Sequence, residues 1–378
     1  MTVPMYDHAR RYRQLQPELD AAVRRVLEGG RPDWGEEVPG LEREFAAFVG
    51  SGFAVGCNSG TAALRLALLA LGIGLGDEVI TAPNSDAGTA SAIHHVGAKP
   101  IFVDVEEDTM NLDAGLLEAA ITPATRAILP VHLYGHPADM PRNMEIARKH
   151  NLFVIEDACL ALGSSIANRK AGLWGDIGCF SFASTKHLGG FGSGGICVTD
   201  NPQLAERMEQ FVGYGQPRAR VYDKTAQGQL LLVEGINERL DELRAAMPRV
   251  QLPYVPDWTA RRIEHAAAYT AAFKNSSIQV PAIRPNCTHT FRNYVIRLEG
   301  RDVVQQKLLE AGISVTLAYV PPLHLQPAYA RMNLPEGSFP VAEAACERLL
   351  CLPISPQLSD AQRDYVIEKL IKAAGGVE

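Results

Sequence analysis

Between residues 53 and 198 the chain alternates short β-branched runs with stretches of helical period, and no other feature restricts its fold as tightly. The runs are Phe53-Ala54-Val55-Gly56, Glu78-Val79-Ile80-Thr81, Pro100-Ile101-Phe102-Val103-Asp104, Arg126-Ala127-Ile128-Leu129-Pro130-Val131, Leu152-Phe153-Val154-Ile155-Glu156 and Ile177-Gly178-Cys179-Phe180-Ser181. Glycine and proline punctuate the joins, as in Leu71-Gly72-Ile73-Gly74-Leu75-Gly76-Asp77, where a helix ends and a turn opens. This is the pattern of an α/β fold with a mainly parallel, helix-covered sheet.

Beyond residue 252 the texture changes. Pro253, Pro256, Pro281 and Pro285 bracket a helical stretch rich in Ala and Arg. Strand candidates follow at 291–298 and 313–317, then a proline-rich loop and a closing helix from Ser359. A chain of 378 residues exceeds one ordinary core. We therefore expect an N-terminal arm and large domain over residues 1–252 and a smaller α+β domain over 253–378.

Charge and cysteine usage narrow the function classes. The net charge is −7 with both signs interspersed, and no Lys/Arg block forms a nucleic-acid footprint. No apolar run reaches the twenty or so residues of a membrane span, and the opening residues lack the regions of a signal peptide. A cytoplasmic protein with small-molecule partners is expected. The seven cysteines are scattered, mostly in apolar strand-like segments, and form no Cys-x-x-Cys pair, so buried thiols are expected and no metal site is.

Three segments carry chemistry. In Cys57-Asn58-Ser59-Gly60-Thr61-Ala62-Ala63-Leu64 a strand ends and a helix begins, so backbone N–H groups and hydroxyls converge where the helix dipole favours an anion. A plain Ser/Thr cap accounts for the same residues. In Val154-Ile155-Glu156-Asp157-Ala158-Cys159 an acidic pair stands at the carboxyl end of an apolar strand, the edge where open α/β sheets bind ligands. Asp157 would there pair with a protonated pyridine nitrogen; capping of the next element is the alternative. In the third segment Ser181 lies five residues before Lys186, and Gly189-Gly190-Phe191-Gly192-Ser193-Gly194-Gly195 follows. A lysine with hydroxyls before it and pliable backbone after it suits a Schiff base beside a phosphate site, and equally a surface loop. The order of the three, phosphate turn, strand-end acid, then Ser-x-x-x-x-Lys, is that of enzymes using pyridoxal 5'-phosphate (PLP).

With these motifs the chain resembles the DegT-type family of PLP-dependent sugar and cyclitol aminotransferases over nearly its whole length. The resemblance rests also on Val38-Pro39-Gly40-Leu41-Glu42-Arg43-Glu44-Phe45, Pro130-Val131-His132-Leu133-Tyr134-Gly135, Gly235-Ile236-Asn237-Glu238-Arg239 and Leu323-His324. It implies a fold-type-I transferase, with a mainly parallel seven-stranded sheet in the large domain and a smaller C-terminal domain. It implies that Lys186 is the Schiff-base lysine and proton carrier, that Asp157 holds the pyridine nitrogen, and that Ser59, Gly60, Thr61 and Ser181 bind the phosphate. Asn237 would reach the phosphate region of a second subunit in a homodimer, and Tyr319 and His324 would border the substrate. The implied reaction moves an amino group from Glu or Gln to a keto-sugar or keto-cyclitol. Dehydration of a sugar is the alternative in the same family, which retention of Lys186 argues against; a non-catalytic regulator is the alternative of another class. Two departures stand out: Ala87 occupies the place expected for an aromatic that stacks on the cofactor, and Leu160 that of a polar residue near its hydroxyl.

Overall fold

Among the described residues nine strands precede residue 200: β1 (Phe53–Cys57), β2 (Glu78–Thr81), β3 (Lys99–Phe102), β4 (Thr125–Ile128), β5 (Phe153–Asp157), β6 (Ser165–Ile166), β7 (Arg169–Lys170), β8 (Ile177–Ser181) and β9 (Gly195–Thr199). Seven of them build one sheet in the order β1-β9-β8-β5-β4-β2-β3. Every pairing from β8 to β3 is parallel, and β9 alone runs against its two neighbours. The computed structural model describes residues 1–32, 35–189, 191–216 and 230–375; Gly190 of the glycine-rich turn lies outside them. The sheet strands are almost wholly buried, as their β-branched sequences require of a sheet covered on both faces.

The helices through residue 212 are α1 (His8–Gly29), α2 (Glu37–Val49), α3 (Gly60–Ala70), α4 (Ala87–His95), α5 (Leu117–Ala120), α6 (Met140–His150) and α7 (Pro202–Val212). Four of these helices, α3, α4, α6 and α7, have a side-chain cap that sets where they start. Ser59 is extended and its hydroxyl accepts from Ala62 N–H to open α3; Asp86, Asp139 and Asn201 cap α4, α6 and α7 in the same way. The composition of α3, Ala and Leu with one Arg, gives a strong helix that is apolar nearly all round, and eight of its residues are buried against the sheet and helices α4 and α7.

The later elements are α8 (Glu242–Gln251), α9 (Val255–Phe273), β10 (Cys287–Thr288), β11 (Tyr294–Arg297), α10 (Arg301–Glu310), α11 (Pro340–Arg348), β12 (Leu349–Leu352) and α12 (Asp360–Ala374). A second core gathers Tyr269, Phe273, Tyr294, Ile296, Val304, Leu308, Leu350, Val366 and Leu370, and Val3 of the N-terminal arm joins it by pairing with Ile313. The expected strand at 313–317 does not form. Its ends meet different partners, Ile313 on Val3 and Thr316 on Cys351, so no ladder runs along it. The pairing for β11 comes instead from β12, in antiparallel register from Tyr294↔Leu352 to Arg297↔Leu349. β10 pairs with β6 and so ties the later segment to the loop after β5. All seven cysteines are free and five are buried. No described helix is long and apolar enough to cross a membrane.

Candidate active site

At the carboxyl ends of β5 and β8, facing the start of α3, lies a cavity of about 200 Å³ lined by Ser59, Gly60, Thr61, Asp86, Gly88, Thr89, Asp157, Cys159, Ser181 and Lys186, among others. The parallel topology dictates the place: strands that point the same way open a crevice at their carboxyl edge, and helix N-termini face it. Six of the residues expected from sequence thus meet in one cavity.

The acidic pair divides its labour. Glu156 is wholly buried and turned away from the cavity residues; its carboxylate accepts from the N–H groups of Gly172 (2.7 Å), Trp174 (2.5 Å) and Gly175 (2.8 Å) and from His132 Nε2 (2.9 Å). Because His132 Nδ1 accepts from Ala138 N–H at 3.0 Å, the ring proton sits on Nε2 and is donated to Glu156. Asp157, one residue on, points the other way by the strand's alternation and lines the cavity. Its Oδ2 accepts from Thr89 Oγ1 at 2.8 Å and its Oδ1 from Cys159 N–H at 3.2 Å. Since Thr89 gives its proton to Asp157, Ser85 Oγ, 2.8 Å from Thr89 Oγ1, is the donor in that contact.

Opposite stands the N-terminus of α3. The Ser59 hydroxyl takes Ala62 N–H at 3.1 Å and its carbonyl takes Ala63 N–H at 3.0 Å, so Ser59 is the helix cap. The N–H groups of Gly60 and Thr61 have no intrahelical acceptor, as at any helix start. At Gly60 only hydrogen fits: a Cβ there would lie 2.7 Å from Ser181 Cβ and 2.9 Å from Cys159 Sγ. Gly195 of β9 is under the same constraint, since a Cβ would come 2.3 Å from the Ser59 carbonyl oxygen. Backbone and hydroxyls therefore close on a small anion from three segments.

Lys186 lies in the turn after β8, its N–H bound to Ala183 O (2.8 Å) and its carbonyl to Gly189 N–H (3.0 Å). Burial holds its ammonium below the ordinary 10.5, the charge of Arg292 works the same way, and Cys159, Asp86 and Asp157 oppose them. Burial likewise pushes the Cys159 thiol well up, so it is a neutral neighbour rather than a thiolate. Amine, strand-end carboxylate and the open N–H groups at the start of α3 fit PLP in kind and in order, and Gly60 lets Ser181 and Cys159 pack against that helix start.

The remaining expected residues lie elsewhere. Asn237 is exposed and outside the lining; its loop is pinned by Asn58 N–H on Glu238 O (2.8 Å) and by the Arg65–Glu238 ion pair. Tyr319 is not a lining residue; burial, then Asp86, raise its phenol above the usual value, which keeps it neutral. His324 is buried, with Nε2 2.9 Å from Glu343 Oε1 and its ring edge-on to Phe339. The two departures resolve differently from expectation. Ala87 is exposed and outside the lining, while Asp86, Gly88 and Thr89 of the same stretch enter it; Leu160 packs in the core and Cys159 takes the cavity position. Thr89 was missed because its bond to Asp157 is tertiary, and Asp86 because its place in the same lining as Lys186 is; the usable signal was a cap followed by a hydroxyl in the first turn of a helix facing the sheet edge.

A profile of the DegT/DnrJ/EryC1/StrS aminotransferase family matches residues 13–371. The erythromycin biosynthesis sensory transduction protein EryC1 of Saccharopolyspora erythraea is 42% identical, over 98% of this chain and 99% of its own. The dTDP-3-amino-3,4,6-trideoxy-alpha-D-glucose transaminase of Streptomyces venezuelae is 41% identical, over 100% of this chain and 97% of its own. The crystal structure of S. venezuelae DesV in complex with a ketimine intermediate superposes with a TM-score of 0.94 at 41% identity, covering 100% of both chains.

Proposed function

The chain belongs to the DegT/DnrJ/EryC1/StrS aminotransferase family, and from that premise we propose that it moves an amino group from glutamate or glutamine to a keto-sugar or keto-cyclitol. It is a PLP-dependent aminotransferase. The observation that carries the reading is the meeting of a half-buried lysine amine, a strand-end carboxylate and an open helix N-terminus in one cavity.

When bound, PLP supplies an aldehyde that captures amines and a protonated pyridine ring that draws electrons from the bond being broken. The chain's residues then have distinct tasks. The Gly60 and Thr61 N–H groups, with the Thr61 and Ser181 hydroxyls, would hold the phosphate against the positive end of α3. Asp157 would accept the ring N–H, and Thr89, bonded to Oδ2, keeps the carboxylate turned toward it. Lys186 Nζ, biased toward the neutral form by burial, would take the proton that leaves the donor's α-carbon and hand it back on the side from which it took it. Tyr319, held neutral, would border the substrate. Retention of Lys186 supports aminotransfer over dehydration.

A spectrum tests this. Loading with PLP should produce a visible absorbance band that glutamate or glutamine bleaches and a keto-sugar restores; if no amino acid bleaches it, aminotransfer has no support. We further propose a homodimer in which Asn237 contacts the partner's phosphate region, because its loop is pinned beside the phosphate turn with the side chain turned outward. Mixing Lys186→Ala with Asn237→Ala subunits should then regain activity that neither has alone. No regain would leave Asn237 without that role.

A further inference from the structure

Asp86 lines the cavity and caps α4, yet no step of the aminotransfer uses it. Its Oδ1 accepts from Gly88 N–H at 3.0 Å and its carbonyl from Thr89 N–H at 3.1 Å, so the cap occupies one carboxylate oxygen. Among the described residues no donor reaches the other, Oδ2. The cap aspartates of α6 and α8 differ, since Asp139 and Asp241 each also pair with an arginine, Arg284 and Arg244. Asp86 instead presents an exposed carboxylate at the cavity that holds Lys186 and Asp157.

The packing of α4 fixes what lies beside this carboxylate. A Cβ on Gly88 would come 2.6 Å from Thr61 Oγ1, so the helix starts hard against the phosphate turn. One residue on, Thr89 Oγ1 donates to Asp157 Oδ2 at 2.8 Å. The first turn of α4 therefore bridges the two points that would hold the cofactor's phosphate and its ring nitrogen. A molecule bound between Thr61 and Asp157 runs alongside that turn, with the cap carboxylate at its edge.

We propose that Asp86 selects the acceptor: its outer oxygen accepts from a ring hydroxyl beside the reacting carbonyl, so the acceptor is a ring ketone that keeps a hydroxyl on a carbon next to the ketone. This rests on the aminotransferase reading above. The choice of a hydroxyl follows from charge. A carboxylate accepts and does not donate, so its partner must carry O–H or N–H. The cofactor's phosphate and the carboxylates of glutamate are anions, which Asp86 repels. The donor's amine is consumed as its nitrogen passes to the cofactor, whereas the hydroxyls of a keto-sugar or keto-cyclitol persist through the reaction.

The test uses PLP-loaded wild type with Asp86→Asn and Asp86→Ser, both of which keep a side chain able to cap α4. Equal melting temperatures and equal PLP affinity check the fold and the cofactor site. After glutamate has bleached the visible band, scyllo-inosose or dTDP-4-keto-6-deoxyglucose, each with a hydroxyl next to its ketone, should restore it. The ketone concentration that half-saturates restoration should rise roughly 10- to 100-fold in D86S, the range for losing a hydrogen bond to a charged group, with D86N between. The glutamate concentration that half-saturates bleaching should not rise, because the lost charge repelled that donor. A cap with no other role would move both steps together or neither. Unchanged ketone half-saturation in D86S would overturn the assignment, as would an equal rise for glutamate and ketone or a loss of PLP affinity to match. A band that glutamate bleaches and neither ketone restores would overturn the acceptor class. Failure of wild type to bleach with any amino acid would instead sink the aminotransferase reading.

Discussion

Two neighbouring carboxylates, Glu156 and Asp157, end the same strand and do opposite things. Glu156 faces a corner in which every donor is spoken for: three backbone N–H groups and an imidazole converge on it and fix the loop at 172–175. Asp157 faces a cavity where, among the described residues, one hydroxyl and one N–H reach it, beside a half-buried lysine and a helix start with open N–H groups. The first corner is scaffold because its charges are satisfied within the chain. The second is a site because its charges are not.

This contrast is open to attack from either side. Lys186→Ala should remove the visible band and lower turnover by about 10²- to 10⁴-fold, the usual worth of a positioned proton carrier, while unfolding by urea stays close to wild type. A large loss of stability instead would mean that the lysine is scaffold too. Glu156→Gln should do the reverse. An amide turned toward four donors must oppose at least one of them, so denaturant unfolding should show a loss of about 3 kcal/mol, with turnover per folded molecule largely retained. A marked fall in turnover at unchanged stability would erase the distinction between the two carboxylates.

Thr89→Val tests the seam between them with a smaller effect. The hydroxyl that holds Asp157 Oδ2 is lost but the shape is kept, and one hydrogen bond to a charged group corresponds to about a tenfold change. We expect weaker PLP binding and slower turnover by that order, read by fluorescence titration and by steady-state rates. An unchanged affinity would mean that Asp157 is positioned by Cys159 N–H alone.

What could be read from sequence divides along the same line. The strand ends, the α3 cap and the spacing from Ser181 to Lys186 are local, so the sheet and six of the cavity residues were legible in the chain. Asp86 and Thr89 were not, because what matters about each is a group far away in sequence: Asp157 for Thr89, Lys186 for Asp86. The same limit explains β12. Leu349-Leu350-Cys351-Leu352 is a short apolar run at the end of a helix and has no period of its own, whereas Ile313-Ser314-Val315-Thr316-Leu317 alternates but lacks one continuous partner.

The smallest effect bears on the lysine itself. In the cofactor-free protein burial lowers the Lys186 pKa below the ordinary 10.5, so the unfolded chain binds more protons at this group than the folded one. Stability must then rise with pH between the folded and the unfolded value, and be lowest in acid. Lys186→Met removes the buried charge and keeps the length. It should therefore raise the melting temperature of the cofactor-free protein at neutral and acid pH, with the gain fading as pH approaches 10.5. A methionine variant no more stable than wild type at every pH would show that the amine carries no desolvation cost, and would return Lys186 to the satisfied side of the molecule with Glu156.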